Sequence, residues 1–153
     1  MQSIISKKAV LFDLDGVLLN SRPNMERAWQ DVRDRSGVTV DFEDYFKNIG
    51  RPFSDILAIL GLQDRAEEIE SVYSQSSKDN FDLATFYPFV VEALQKIKGH
   101  GIKLGIVTSK DQERTNIVLN RLPVKFSSVQ TPNPCFRGKP APDHLLTAMA
   151  DLN

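Results

Sequence analysis

The stretch Ala9-Val10-Leu11-Phe12-Asp13-Leu14-Asp15-Gly16-Val17-Leu18 decides the fold of this chain. Four apolar residues lead directly to a carboxylate, a second carboxylate follows two positions later, and a glycine comes next. A short apolar run of this kind is typical of a strand buried on both faces of a parallel sheet. Because open α/β sheets bind ligands at the carboxyl ends of their strands, we expect Asp13 and Asp15 to lie at a ligand site.

These two carboxylates indicate a metal ion or a shared proton. Held this close together, they repel each other unless a positive charge lies between them. Mg²⁺ prefers oxygen ligands of this kind, so Asp13 and Asp15 are the candidate metal-binding residues. For a carboxylate pair considered by itself, the alternative is a polar strand end that turns into solvent.

Composition is that of an ordinary globular protein. The 153 residues are 41% hydrophobic and 25% charged, which is enough for one stable core. The net charge of −1 gives no reason to expect a nucleic-acid or membrane partner. The charges are uneven, with 8 Lys/Arg against 13 Asp/Glu in residues 20–83 and 9 against 5 in residues 84–153. The basic part suits a phosphate ligand.

Two features bear on the cellular location. The single cysteine, Cys135, allows no disulfide within the chain, which fits a reducing compartment. The N-terminal segment has far too few apolar residues for a signal peptide or a membrane span. We therefore expect a cytoplasmic protein.

The segment 20–83 is predicted to be helical throughout. Its first helix carries apolar residues at the spacing of one helical face, namely Met25, Ala28, Trp29 and Val32. Gly37 is expected to end this helix, and Ser54 and Asp64 are candidate N-caps of two later ones.

Strand and helix signals alternate from residue 84 onward. The runs 102–107 and 125–130 are predicted strands, and Asp111 and Asp143 are expected to open the helices that follow them. In the last helix we expect three apolar residues to face inward, namely Leu145, Met149 and Leu152. Strands that alternate with helices indicate a parallel sheet with crossover connections, which the helical segment 20–83 interrupts as an inserted cap.

Further candidate residues follow the second predicted strand and the proline-rich loop. Thr108 ends that strand, so its hydroxyl is expected at the same sheet edge as Asp13. The backbone N–H groups of Ser109 and Lys110 lead into a helix N-terminus, where phosphate binds readily. Lys139 would add the cation that phosphoryl transfer needs. The alternatives are a helix cap for Thr108 and a solvated loop residue for Lys139.

Three motifs, Asp13-Leu14-Asp15-Gly16, Thr108-Ser109 and Lys139-Pro140, resemble those of the haloacid dehalogenase-like (HAD) superfamily. Tyr87-Pro88 is similar to the members with a helical cap between the first two motifs. The resemblance spans almost the whole chain. It implies an α/β fold, with an incomplete Rossmann-like parallel sheet and an inserted all-helical cap. Residues 1–19 and 84–153 would form the core and residues 20–83 the cap.

The resemblance also implies a Mg²⁺-dependent phosphatase that acts on a small phosphorylated metabolite. Asp13 would be the nucleophile and form an aspartyl-phosphate. Asp15 would protonate the leaving alcohol and then activate water. Thr108, Ser109 and Lys139 would bind the phosphoryl group. Mg²⁺ would lie on the Asp13 carboxylate and the Asp15 backbone carbonyl.

Two reactions of the superfamily are disfavoured. Members that dehalogenate carbon centres lack an acid at the position of Asp15. Members that move phosphate within a hexose resemble this chain around Gly50-Arg51, but they carry a histidine where this chain has Met25. Arg51 is a candidate contact for a substrate anion, with a plain surface arginine as the alternative.

The acidic fourth motif of the superfamily is absent from this sequence, which stops at Asn153 before it. We expect a C-terminally truncated fragment of a longer phosphatase. The alternative is a catalytically impaired chain or a non-catalytic binding module of the same fold. Without the strand of the fourth motif, the predicted strand 9–12 would have an open edge and could self-associate through it. A phospho-accepting receiver domain also combines Asp, Thr or Ser, and Lys, but it has no helical insert.

Overall fold

The computed structural model describes residues 8–153; the N-terminal segment considered above, residues 1–7, lies outside the described part. The chain divides into two compact units. One unit comprises the described residues up to Leu18 together with Tyr87–Asn153, and the other comprises Leu19–Phe86. In the described part of the chain, no helix is long and apolar enough to cross a membrane.

Four of the described α-helices follow one another between two short strands, and the other helices alternate with strands. Along the chain they are β1 (Ala9–Phe12), β2 (Leu19–Asn20), α1 (Arg22–Ser36), α2 (Phe42–Phe46), α3 (Phe53–Ile59), α4 (Ala66–Asp79), β3 (Thr85–Phe86), α5 (Val90–Gly99), β4 (Lys103–Val107), α6 (Gln112–Leu119), β5 (Ser128–Gln130) and α7 (Asp143–Asp151). Short 3₁₀ turns at Gln63–Arg65 and Phe81–Leu83 flank α4.

The first unit is built on a parallel three-stranded sheet with the order β1-β4-β5. Phe12 pairs with Ile106 and Val107 pairs with Gln130, so the three strands end at one edge of the sheet. The central strand β4 is buried from Leu104 to Val107, whereas all four residues of β1 are half-buried. This confirms the predicted α/β fold with a parallel sheet, and it places β1 at the border of the described sheet.

Gly105 allows the strands and the last helix to approach closely. A Cβ atom at this position would lie 2.4 Å from Leu11 Cδ2 and 3.1 Å from Leu152 Cδ1. The first distance is shorter than any real carbon–carbon contact, so only glycine fits between the two leucines as they stand. A larger residue at position 105 would therefore require the Leu11 and Leu152 side chains to move.

Helix α7 packs through a different face from the one we expected. His144, Ala148 and Leu152 are buried, whereas Leu145 and Met149 are exposed. The prediction that Leu145 and Met149 face inward was therefore wrong, although it was right for Leu152. The helix is apolar on two sides, so periodicity alone could not select the side that contacts the sheet.

The second unit is a helical bundle around an aromatic core. The rings of Trp29 and Tyr45 stack at 4.3 Å between centroids, and Phe53 and Tyr73 pack against each other at 4.8 Å. The apolar face predicted for α1 is buried in this core, and Gly37 ends the helix with a φ of 62°. These observations confirm the predictions for α1.

The cap predictions for the later helices were wrong. Helix α3 already begins at Phe53, so Ser54 is inside it, and Asp64 lies in a 3₁₀ turn before α4. Neither helix has a side-chain cap hydrogen bond at its N-terminus. Tertiary packing of the apolar residues decides these starts instead of local capping chemistry.

A polar layer joins α1 to α4. The amide of Asn24 donates to the backbone carbonyls of Ser77 and Asn80, both at 2.9 Å, and the Ser77 hydroxyl donates to Asn24 Oδ1 at 2.8 Å. The Ser76 hydroxyl donates to the buried carboxylate of Asp31 at 2.6 Å. These bonds explain why the polar end of α4 stays helical as far as Asp79.

The first testable prediction concerns Phe89, which has a φ of 65° and is 78% exposed, so no buried contact among the described residues compensates for this backbone conformation. A non-glycine residue in this region costs about 1–2 kcal/mol. We expect Phe89→Gly to raise the free energy of unfolding by about 0.5–1 kcal/mol, because part of that gain is lost to the greater chain entropy of glycine. Urea unfolding measures the change.

The matched control is Phe89→Ala. It removes the exposed ring but keeps a Cβ atom at the positive φ, so its stability should stay close to that of the wild type. A glycine variant that is no more stable than the alanine variant would contradict the argument from backbone strain.

Candidate active site

The site begins where β1 and β4 end side by side. Since Phe12 pairs with Ile106, Asp13 follows β1 at the level where Val107 ends β4. The N–H of Thr108 donates to the carbonyl of Gln130 at 3.0 Å, so Thr108 extends the pairing between β4 and β5 by one bond. The parallel register therefore brings Asp13 and Thr108 to the same edge of the sheet, as the sequence predicts.

Both carboxylate oxygens of Asp13 have partners. Oδ1 accepts a hydrogen bond from the N–H of Leu14 at 2.7 Å, and Oδ2 lies 3.0 Å from Lys139 Nζ. The side chain of Asp13 is nevertheless 32% exposed. The carboxylate is thus held in place while an incoming ligand can still reach it.

Lys139 ties the proline-rich loop to the ends of two strands. Its Nζ donates to the carbonyl of Val107 at 2.9 Å and forms the ion pair with Asp13. The side chain is only 27% exposed, so the alternative of a solvated loop lysine does not hold. One ammonium group therefore fixes the loop relative to both β1 and β4.

The loop around Lys139 is closed by an ion pair between Arg137 and Asp143. The guanidinium of Arg137 donates to both carboxylate oxygens at 2.8–3.2 Å, and the N–H of Arg137 donates to Oδ2 at 3.2 Å. The hydrogen bonds from Arg137 lower the pKa of the Asp143 carboxyl. This ring of contacts, which the sequence did not predict, presents Lys139 to the strand ends.

Thr108 is buried, and its hydroxyl accepts a hydrogen bond from the N–H of Lys110 at 3.1 Å. Since a hydroxyl has one proton to donate, this bond leaves the proton of Thr108 for another acceptor, such as a phosphoryl oxygen. The N–H of Lys110 is engaged with Thr108 in this structure, and its expected contact with a phosphate stays a prediction. Ser109, between Thr108 and Lys110 in the sequence, is half-buried.

Asp15 forms an ion pair that the sequence analysis missed. Its Oδ1 lies 3.2 Å from Nζ of Lys110, whose side chain is only 6% exposed. The Oδ1 atom is buried and accepts no well-aligned hydrogen bond in the described part of the chain. The sequence signal for this pair is the position of Lys110 directly after Thr108-Ser109 at a strand end. The sequence analysis assigned a role only to the backbone N–H of Lys110 and none to its side chain.

The turn after β4 leads into α6, and Asp111 caps that helix as predicted. The Asp111 carboxylate accepts the N–H of Arg114 at 2.9 Å and also contacts the guanidinium of Arg114. Burial works to raise the pKa of the Asp111 carboxyl, but the charge and hydrogen bonds of Arg114 and the charge of Lys110 outweigh it, so that pKa is lowered.

An open pocket of about 470 Å³ lies beside the end of β1. It is lined by Leu11, Phe12, Asp13, Val107, Lys139, Pro140, Ala141, Pro142 and Leu145. Asp13 and Lys139 are its charged residues, and the rest of the wall is apolar. Asp15, Thr108 and Ser109 do not line it, so the pocket adjoins the paired strand ends on one side only.

Arg51 lies in the second unit. It is exposed, and a short parallel bridge joins it to Ile49 after α2. Its contact with a substrate anion stays a prediction.

The residues at the strand ends fit a magnesium ion only in part. The described residues 8–153 contain no group of three or more His, Cys, Asp or Glu side chains that could hold a metal ion. Asp13 offers an accessible carboxylate and Asp15 a backbone carbonyl, both of the oxygen type that Mg²⁺ prefers. Because Mg²⁺ usually binds through one or two carboxylates, waters and substrate phosphates, this donor set is compatible with it.

Comparisons with known proteins identify the family of this chain. The family model described as haloacid dehalogenase-like hydrolase matches residues 10–153. The phosphorylated carbohydrates phosphatase of Thermotoga maritima is 29% identical over 153 residues, covering 95% of this chain and 71% of that protein. The pyrophosphatase PpaX of Bacillus cereus (strain Q1) is 30% identical over 155 residues, covering 94% and 68%.

Solved structures agree on the fold. A hydrolase from Pseudomonas syringae superposes with a TM-score of 0.84 at 24% identity, covering 95% of this chain and 69% of that one. A haloacid dehalogenase-like family hydrolase from Streptococcus pneumoniae has a TM-score of 0.79 at 22% identity, covering 94% and 69%.

The chain therefore belongs to the haloacid dehalogenase-like hydrolases. Within this family its curated relatives are phosphatases and pyrophosphatases, and the chain is an enzyme of the phosphatase type.

The second prediction concerns Asp111, the cap of α6. We expect Asp111→Ala to lower the free energy of unfolding by about 1 kcal/mol, because the N-cap hydrogen bond to Arg114 is lost. Asp111→Asn keeps a capping oxygen and isolates the contribution of the charge. Urea unfolding at several pH values measures both variants.

The pH dependence of Asp111→Asn has a definite sign. Because folding lowers the pKa of Asp111, its charge stabilises the protein above the unfolded value of 3.8, and this contribution disappears as the pH falls through the folded pKa. The wild type should therefore be more stable than Asp111→Asn at neutral pH. The difference in unfolding free energy should shrink as the pH falls below 3.8, the pKa of the carboxyl in the unfolded chain. A difference that grows on acidification would contradict the assignment.

Proposed function

We propose that this protein hydrolyses phosphomonoesters of small metabolites through an aspartyl-phosphate on Asp13, with the help of Mg²⁺. The observation that supports this most is the contact of 3.0 Å between Asp13 and Lys139 at the ends of β1 and β4. It places a nucleophilic carboxylate and a cation together at the sheet edge where ligands of this fold class bind. Thr108 adds a buried hydroxyl at the same edge.

The reaction has two displacements. The Asp13 carboxylate attacks phosphorus, the bond from phosphorus to the alcohol oxygen breaks, and Asp15 gives its proton to the departing oxygen. A water molecule then attacks the same phosphorus, Asp15 accepts the proton of that water, and the bond to Asp13 breaks to release phosphate. The Asp13 carboxylate is thereby restored.

The other residues stabilise charge. The Lys139 ammonium offsets the negative charge of the phosphoryl oxygens, and the Thr108 hydroxyl and the backbone around Ser109 donate to them. When bound to the Asp13 carboxylate and the Asp15 carbonyl, Mg²⁺ would supply further positive charge at the phosphoryl group. The Asp13 side chain is 32% exposed, so a ligand can reach it.

The substrate class and the role of the second unit are parts of the same proposal. The names of two relatives specify phosphorylated carbohydrates and pyrophosphate as what those proteins act on. We propose a small phosphorylated metabolite for this chain, with Arg51 as a contact for its anionic group. Residues 20–83 would act as the cap, and residues 1–19 with 84–153 as the catalytic core of a cytoplasmic enzyme.

The third prediction tests this chemistry. With Mg²⁺ present and an acidic fourth motif restored, the protein should release phosphate from phosphomonoesters, and Asp13→Asn should abolish turnover because the nucleophile is lost. Asp15→Asn should slow turnover by about 10²–10⁴-fold while the binding of a phosphate analogue persists. A phosphate-release assay with sugar phosphates, an aryl phosphate and pyrophosphate measures rates and separates substrate classes.

Three outcomes would contradict the proposal. Full activity of Asp13→Asn would exclude Asp13 as the nucleophile. An unchanged rate in Asp15→Asn would exclude Asp15 as the general acid. A chain that binds a phosphate analogue through Lys139 but hydrolyses none of these esters would be a non-catalytic binding module.

We also infer that the border strand β1 pairs with the same strand of a second copy. Its residues are apolar and only half-buried, and β4 is its one partner in the described sheet. A strand without charges can pair with itself antiparallel around a two-fold axis. The Lys8 carbonyl accepts from Lys103, so in the alternating parallel ladder the N–H of Ala9 faces the open side.

The fourth prediction follows from this pairing. The wild-type chain should show a mass that rises with concentration in light scattering, and Ala9→Pro should shift it towards the monomer. Proline removes the outward N–H at the first residue of the strand, where it is tolerated, without removing a bond to β4. A wild type that stays monomeric at all concentrations would refute the pairing.

A further inference from the structure

The buried ion pair between Lys110 and Asp15 has no role in the mechanism described so far. We propose that Lys110 is a positioning residue that holds the Asp15 carboxylate for proton transfer. This inference rests on the acid–base role proposed for Asp15. It adds a second lysine to the site, with a task different from that of Lys139.

The burial of both partners supports the assignment. The side chains of Lys110 and Asp15 are 6% and 14% exposed, so water screens their charges little. Asp15 is the one ion-pair partner of Lys110 within residues 8–153. A buried charge is tolerated when it is paired, and removal of one partner leaves the other charge without compensation. Each side chain therefore restrains the other.

The backbone of Lys110 joins this pair to the phosphate-binding part of the site. Its N–H donates to the Thr108 hydroxyl, and its carbonyl accepts the Thr115 hydroxyl at 3.3 Å. Asp111, the next residue, caps α6. The backbone of Lys110 is thus hydrogen-bonded through both its N–H and its carbonyl, between the end of β4 and the start of α6.

The contact also makes the two carboxylate oxygens of Asp15 different from each other. Oδ1 faces the ammonium and is buried, with no well-aligned hydrogen bond. Oδ2 is then the oxygen available to hold or move a proton. Because Lys110 fixes the plane of the carboxylate, it would present Oδ2 in one orientation rather than in several, and proton transfer depends strongly on such orientation.

The experiment compares Lys110→Met, Asp15→Asn and the double variant in the protein with the acidic fourth motif restored, at saturating Mg²⁺. We expect Lys110→Met to lower kcat by about 10–100-fold and to leave KM little changed. The loss should be larger for an alkyl phosphate than for p-nitrophenyl phosphate, because nitrophenolate leaves without being protonated. The double variant should be no slower than Asp15→Asn alone, and Lys110→Arg should recover part of the activity.

Lys103→Met is the matched control. It removes the same charge at the opposite end of β4, where Lys103 donates to the carbonyls of Leu152 and Asn153, and it should leave kcat unchanged. Urea unfolding of the same variants is the second measurement. Lys110→Met and Asp15→Asn should each lower the unfolding midpoint, because each leaves a buried charge without its partner, while the double variant should lose less than the two single losses added together.

The outcomes separate this inference from the proposed function. A protein that has the fourth motif restored and still hydrolyses no phosphate ester would refute the proposed function, and the positioning role would fall with it even if unfolding showed the pair to be coupled. Hydrolysis with additive losses in the double variant, or with equal losses for alkyl and aryl phosphates, would overturn the role of Lys110 alone. Coupled midpoints combined with additive rates would make the pair structural only.

Discussion

The parallel pairing of β1 with β4 is the constraint on which the site depends. Two strands that run in the same direction and end at the same level must deliver the residues that follow them to one place. Here those residues are Asp13 after β1 and Thr108 after β4. Every other group of the site is held relative to these two strand ends.

Charge compensation is the second organising feature. The carboxylates of Asp13 and Asp15 are two residues apart, and each is paired with a lysine from a different part of the chain. Lys139 comes from the loop before α7, and Lys110 from the turn before α6. The repulsion between the carboxylates is thus relieved by two separate cations, and each pair also connects a loop to a strand end.

Much of this arrangement could be predicted from local sequence patterns. The apolar run before Asp13, the strand before Thr108 and the cap at Asp111 are signals contained in a few neighbouring residues. The ion pair of Asp15 with Lys110 was missed because it joins residues far apart in sequence. The inward face of α7 was misjudged at Leu145 and Met149 because a helix that is apolar on two sides is oriented only by its neighbours.

The close approach at Gly105 limits how this core can change its sequence. A side chain at this position would collide with the end of the Leu11 side chain and press on the end of the Leu152 side chain, so both leucines would have to move. Substitutions at positions 11, 105 and 152 are therefore expected to be non-additive in their effects on stability, because the three residues are in contact.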